Sequence, residues 1–217
     1  QGYITFETGK WHNGAASLNR AFADADNIYI GGMHRYETGG HLTPVLHHYD
    51  SSGAYKNSFT GNKFSSVYYA DAIISFLDKQ KESNKPFFAY AAFTSPHDPR
   101  TPPEAFAAWY DSSKLKLPPN FVSLHPFDNG DLTVRDEVLL PVPRDTNAVK
   151  GEIAKYYGMI SEADHEIGRI IQALKANGQY ENTIIVMAGD NGLAVGQHGL
   201  LGKQNAYDHS IRVPLII

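Results

Sequence analysis

Two apolar runs of strand length, Phe87 to Phe93 and Thr183 to Ala188, each follow a segment of helical period, and this order constrains the fold more than any other feature. Near-continuous apolar strands fed by helices predict a doubly wound α/β fold, with a mainly parallel sheet covered by helices and both strands buried on two sides. From Val149 to Ala176, Ile153, Tyr156, Tyr157, Ile160, Ala163, Ile167, Ile170, Ile171 and Leu174 recur every three or four residues, and Asn177-Gly178 supplies a stop. A second helix is predicted over Ser66 to Lys81, with Val67, Ala70, Ile74 and Leu77 on one stripe, ending before Lys85-Pro86. Shorter strands are expected at Tyr3 to Glu7, Asn27 to Ile30 and Arg212 to Ile217. The runs flanking Ser51-Ser52-Gly53, within Leu42 to Phe59, read as a hairpin insertion. Pro96 to Pro103 and Pro118 to Pro143 are proline-punctuated loops, and neither an internal repeat nor an interdomain linker is visible.

Composition narrows the function classes. With 217 residues, 42% of them hydrophobic, the chain can bury a core, which excludes disorder and collagen-like repeats. A net charge of −4 without a block of like charge gives no footprint for nucleic acid. The absence of cysteine excludes thiolate metal sites and a thiol nucleophile. No apolar run reaches the length of a membrane span, and no signal-peptide pattern opens the sequence. The start at Gln1 and the close inside the apolar run Val213 to Ile217 read as cut ends.

In open α/β sheets, ligands sit beyond the carboxyl ends of the strands. Three junctions there carry chemistry: Thr8-Gly9-Lys10-Trp11-His12, Ser95-Pro96-His97-Asp98-Pro99-Arg100 and Gly189-Asp190-Asn191-Gly192. Asp190 and Asn191 offer the hard oxygens that Ca²⁺ or Mg²⁺ prefers, although Asn-Gly alone equally marks a tight turn. A glycine-rich loop, Gly192 to Lys203, follows in place of an alternating partner strand, which weakens the hairpin alternative. Lys10 and Lys203 supply positive charge, and His12 and His97 exchange protons near neutrality, as transfer from an anionic ester requires. Trp11 is assigned to packing. His198, between Gln197 and Gly199, is a candidate substrate contact, while His41, His47 and His48 are expected at the surface and His165 exposed on the long helix. His125 and His209 carry no readable motif.

Taken together these residues resemble the type I sulfatases of the alkaline phosphatase superfamily, over nearly the whole chain. Gly9-Lys10-Trp11-His12 is similar to that family's G-K-W-H signature, and Ser95-Pro96-His97 to its histidine loop. Gly189 to Gly192 with Gln197-His198-Gly199, Lys203 and Arg212-Val213-Pro214 is similar to its metal-ligand block. The resemblance implies an alkaline phosphatase-like fold and hydrolysis of sulfate esters, of a carbohydrate by expectation. It further implies that Asp190 and Asn191 ligate a divalent cation, usually calcium with magnesium as the alternative, and that Lys10 and Lys203 bind sulfate oxygens. His97 would protonate the departing alcohol oxygen, and His12 would act as base when the covalent sulfate is expelled. Arg100, His198 and the Leu42 to Phe59 insertion are the candidates to contact the rest of the substrate.

The family nucleophile is a formylglycine made in a C/S-x-P-x-R motif. Ser95 to Arg100 has a serine, a proline and an arginine at the wrong spacing, so Ser95 is not assigned that role. The resemblance places the nucleophile and further aspartates upstream of Gln1, and a smaller subdomain downstream of Ile217. On that reading residues 1–217 are a central part of the large catalytic domain, inactive in isolation, and family habit suggests a periplasmic or secreted location. Tyr207-Asp208-His209 departs from an expected Tyr-Glu-x. Two other readings stay open: a phosphodiesterase or phosphonate hydrolase of the same superfamily, and a non-catalytic carbohydrate-binding protein on the same fold. All functional expectations require residues 10, 12, 97, 190, 191 and 203 to meet around one hollow.

Overall fold

The computed structural model describes residues 2–52 and 57–217. They form two compact units, Gln1–Phe106 with Gly158–Asn182, and Ala107–Tyr157 with Thr183–Ile217.

The first unit is built on a five-stranded sheet in the order β4-β3-β2-β1-β5. Its strands are β1 (Ile4–Trp11), β2 (Asp24–Ile30), β3 (Val45–His47), β4 (Ser58–Thr60) and β5 (Phe87–Ala92). β1 runs parallel to both β2 and β5, whereas β2, β3 and β4 are antiparallel. The expected α/β sheet is therefore present but mixed, because the hairpin inserted after β2 extends the sheet at that edge. Val45 pairs with Thr60 and His47 with Ser58, as the hairpin reading requires; Gly53 lies outside the described residues.

Helices lie on opposite faces of this sheet. Phe22, which closes α1 (Ala15–Ala21), stacks on Phe88 and Tyr90 at 6.2 Å each, whereas Phe76 of α2 (Ser65–Gln80) meets Phe6 at 4.5 Å and Phe87 at 5.8 Å. Successive strand residues point to opposite sides, so Phe87 and Phe88 face different helices. Among the described residues β5 is at the edge of the sheet, and Phe88 and Tyr90 are 53% and 45% exposed there, unlike the expected burial on both sides.

The buried stripe of α2 is Tyr69, Ala70, Ile73, Phe76 and Leu77, rotated from the predicted one because the aromatic residues, with more area to bury, set the inward face. α4 (Thr146–Ala176) matches its predicted span. Ile153 and Leu174 are buried, but Tyr157 and Ile160 of the predicted stripe are exposed, and the polar Glu162 and Glu166 are buried instead.

Gly9 shows how one residue sets the sheet. The β1 to β2 register shifts between Glu7 and Gly9, and Gly9 adopts φ +101° with its α-carbon against β5. A Cβ there would lie 2.1 Å from the Ala92 carbonyl oxygen. Glycine alone tolerates both the dihedral and the contact. Gly9→Ala is expected to destabilise the protein by about 3 kcal/mol, read as a lower urea midpoint at unchanged slope.

In the second unit, Val149, Ile153 and Val195 form a core with Leu115, Leu117, Phe121 and Leu140 around it. The run from Thr183 to Ala188 is the largest departure from expectation. Only β6 (Met187–Ala188) is a strand, paired antiparallel with β7 (Leu215–Ile216), and Ile184 is 84% exposed. A two-residue ladder covers neither face of its strand. The short helix α5 (Asp208–Ile211) lies in this unit, and α3 (Glu104–Ala107) falls where residues 1–106 end.

Candidate active site

In the first unit, three parallel strands deliver their following residues to one edge of the sheet. β1 ends in Lys10 and Trp11 followed by His12, β2 is followed by Gly31-Gly32-Met33-His34, and β5 by Thr94 to Arg100. His12 is exposed, with its Cε1 3.7 Å from where a Cβ on Gly32 would stand. Trp11 packs edge-on to Phe22 at 5.8 Å and donates its indole N–H to the Gly14 carbonyl, so its packing role holds. His97 Nδ1 lies 3.0 Å from both the backbone oxygen and a carboxylate oxygen of Asp98, contacts in which Nδ1 is the donor. Arg100 is buried, 6% exposed, in the same loop.

His34, which sequence reasoning passed over, sits among these groups. Burial drives it down to about 2, and the charges of His41, His97 and Lys10 push the same way, so His34 is neutral near pH 7. The His34 ring lies 4.4 Å from that of His41, whose Nε2 is 2.9 Å from the His97 carbonyl oxygen. His41 is the clearest correction among the histidines: expected at the surface, it has no exposed area and is held at about 4, chiefly by burial. It stacks on Phe64 at 5.3 Å, because the turn at Gly39-Gly40 folds it inward against α2. His48 is exposed as expected and pairs with Asp26 at 2.8 Å, and His165 is exposed beside Glu166.

The second unit holds Asp190, Asn191, His198 and Lys203. Asp190 is exposed and accepts its neighbour's backbone N–H at 2.9 Å; the Asn191 amide donates to the Gly192 carbonyl at 3.2 Å, which leaves the carboxamide oxygen pointing away from that bond. The turn is seated firmly: Gly192 N–H donates to the Ser210 carbonyl, and a Cβ on Gly192 would collide with the His209 carbonyl oxygen at 1.8 Å. The two hard oxygens suit a Ca²⁺- or Mg²⁺-class cation, which takes six or more donors. Among the described residues no group of three or more His, Asp or Glu side chains could hold a metal ion, and the pair supplies two oxygens of the six or more such a cation takes.

His198, at φ +54°, stacks on Tyr207 at 4.1 Å, and His209 and His125 close around the same ring at 5.6 and 6.0 Å. Asn120 donates to His198 Nε2 at 2.9 Å and His125 Nδ1 to its carbonyl at 2.8 Å, so the His198 ring serves as a fixed wall. With Asn120, Gln197, Asp208 and His209 it lines a cavity of about 420 Å³. Burial lowers His209 to about 4, aided by His198. The loop leading to Lys203 is pinned from below by a buried ion pair, Arg144 to Glu137 at 2.7 Å. Glu137 accepts the N–H groups of Leu201 and Gly202 at 2.9 and 2.8 Å, and Arg144 Nε donates to the Gly199 carbonyl at 3.0 Å. No local motif signals this clamp, since its partners are 64 residues apart for Glu137 and Leu201.

The sequence profile of the Sulfatase family matches residues 1–217. The chain belongs to the sulfatase family. It is 33% identical over 153 residues to an arylsulfatase of Clostridium perfringens, covering 66% of this chain and 30% of that protein. It is 28% identical over 224 residues to an ulvan-active sulfatase of Formosa agariphila, covering 100% of this chain and 39% of that protein. The chain thus spans about a third of the length of these curated relatives. Among solved structures, one from work on glycosaminoglycan metabolism by Bacteroides thetaiotaomicron shares the fold with TM-score 0.72 at 18% identity, covering 99% of this chain and 44% of that chain. A phosphonate monoester hydrolase of Agrobacterium radiobacter matches with TM-score 0.60 at 28% identity over 70% of this chain and 32% of its own. The fold class and the family expected from the motifs are thereby met. Sulfatases generally use a metal ion and a formylglycine, and no described helix is long and apolar enough to cross a membrane.

Proposed function

We propose that the protein to which this chain belongs hydrolyses sulfate esters, and that its substrates are sulfated carbohydrates. The observation that supports this most is the shared edge of β1, β2 and β5, where Lys10, His12, His34 and His97 collect within a sulfatase-family chain. Lys10 and Lys203 bind the anionic sulfate oxygens. His97, oriented through Nδ1 by Asp98, gives a proton from Nε2 to the departing alcohol oxygen. His12, exposed beside Gly32, accepts a proton when the enzyme is regenerated. Asp190 and Asn191 hold a divalent cation, Ca²⁺ in preference to Mg²⁺, which when bound draws charge from a sulfate oxygen. Arg100 and His198 contact the remainder of the substrate, and the Tyr207 and His198 wall, with amide and carboxylate groups around it, suits a polyhydroxylated ring. The carbohydrate reading draws on the ulvan-active relative. The reading requires both groups of residues to act on one ester.

The test compares His97→Ala with the unaltered whole protein on aryl sulfates of good and poor leaving groups. The poor leaving group is expected to lose about a hundredfold in kcat/KM, and the good one far less. Equal losses would remove His97 as the proton donor. Likeness to the phosphonate hydrolase makes aryl phosphonates the control substrates, and faster turnover of those than of sulfates would overturn the sulfatase reading.

A further inference from the structure

Behind the His97 loop lies a hydrogen-bonded chain of buried side chains whose donors and acceptors can be assigned end to end. His41 Nε2 is 2.9 Å from the His97 carbonyl oxygen, which only accepts, so Nε2 carries the proton. His41 Nδ1 must then accept, and the Ser65 hydroxyl at 3.0 Å donates to it. Ser65 Oγ in turn accepts from Thr94 Oγ1 at 3.1 Å, and the same Thr94 hydroxyl lies 3.4 Å from His41 Nδ1, the other acceptor it faces. Thr94 Oγ1 receives His34 Nε2–H at 3.1 Å and the Tyr69 hydroxyl at 3.4 Å. Every link points toward the His97 carbonyl, and every side chain in it is buried, none more than 5% exposed.

We propose that His41 is a positioning residue for His97, fixing the loop that carries it by a hydrogen bond to the His97 main chain, with Ser65, Thr94, Tyr69 and His34 holding the His41 ring in the required tautomer. Three features argue for this over packing alone. The segment from Thr94 to Arg100 lies outside any helix or strand, and its internal backbone bonding includes His97 N–H to the Thr94 carbonyl at 3.0 Å. The neighbouring turn is fitted to the same loop, since a Cβ on Gly40 would stand 2.9 Å from Pro99 Cγ and 3.1 Å from Thr101 Oγ1. Burying an imidazole also costs desolvation that an apolar residue beside Phe64 would avoid, and burial together with the neighbouring positive groups holds both His41 and His34 in the neutral form that this chain of donors needs.

The inference rests on the proposed proton-donor role of His97, and the experiment separates the two. In the whole protein, His41→Phe keeps the aromatic contact and removes both ring nitrogens, whereas His41→Gln keeps a terminal N–H donor. His41→Phe is expected to lower kcat/KM about tenfold or more for an alkyl sulfate with a poor leaving group and less than about threefold for an activated aryl sulfate, with His41→Gln recovering most of the loss. A general structural defect would reduce both esters alike and would not be recovered by glutamine. Should His41→Phe not fold, Ser65→Ala, which removes only the donor to Nδ1, is read on the same two esters and is expected to shift them in the same direction. Equal losses, no loss, or no recovery with glutamine overturns the inference. If His97→Ala is selective for the poor leaving group while the His41 variants are not, the positioning role alone falls; if His97→Ala is unselective, the proton-donor reading falls and takes the inference with it.

Discussion

Asp190→Ala in the whole protein is expected to abolish sulfate-ester turnover, by about a thousandfold or more in kcat/KM, while leaving the folded state almost untouched. The two halves of this expectation come from different observations. Asp190 is exposed, and among the described residues its carboxylate accepts one hydrogen bond, from the adjacent Asn191 N–H. Removing such a group changes stability by about 0.5 kcal/mol or less, so the melting temperature should barely move. On the proposed reading a bound cation contributes several kcal/mol of charge stabilisation to ester cleavage, and Asp190 is the anionic member of the pair that would hold it. Cation affinity measured by calorimetry should fall with activity, and Asn191→Ala, which removes a neutral oxygen, should fall less on both counts. An Asp190→Ala protein that binds the cation normally would take Asp190 out of the metal site.

The second large effect concerns stability and pH. Glu7 lies in the middle of β1 with no exposed area, and both of its carboxylate oxygens are buried without a hydrogen-bond partner among the described residues. Desolvation pushes it from 4.5 up to about 8. Glu162 on α4 is likewise pushed to about 8 by burial, with the Ser66 hydroxyl pulling the other way. From pH 4.5 to about 8 the folded chain keeps protons that the unfolded chain releases, so stability falls as pH rises through that window. At 1.36 kcal/mol per unit, the loss attached to each residue is on the order of a few kcal/mol. Glu7→Gln has no proton to lose. It is expected to melt about 5–10 °C above the unaltered protein at pH 8.5 and within about 2 °C of it at pH 5. Equal melting temperatures at both pH values would mean that Glu7 is solvated.

The parts of the fold legible in the sequence are those carried by periodicity. α2 and α4 fall where the spacing of three and four predicted, and the hairpin and β5 appear in place. Periodicity failed where the signal was apolar content alone. Thr183 to Ala188 reads as a buried strand, yet burial needs neighbours, and within the described chain that segment has only β7. The junctions were legible only as candidates, because an open sheet presents side chains at its strand ends, and that rule points to Lys10, His12, His97, Asp190 and Asn191. What supports them was not. His41 is 56 residues from the carbonyl it holds, and Glu137 is 64 residues from the loop it clamps, so neither has a local pattern. His34 was the exception: two glycines and one residue after β2, it occupied the kind of position that merited inspection.

The seating of Gly192 against the His209 carbonyl has a consequence for how this enzyme family could diversify along the present chain. No atom larger than hydrogen fits at that point, so the turn bearing Asp190 and Asn191 and the segment bearing Tyr207 and His209 are mechanically one piece. Shifting the 207–209 backbone to remodel the cavity wall would drag the Asp190 and Asn191 oxygens with it. Change in the cavity is therefore more accessible through side-chain exchange at positions such as 120, 197 and 208, which leaves the backbone of the Asp190 and Asn191 turn in place.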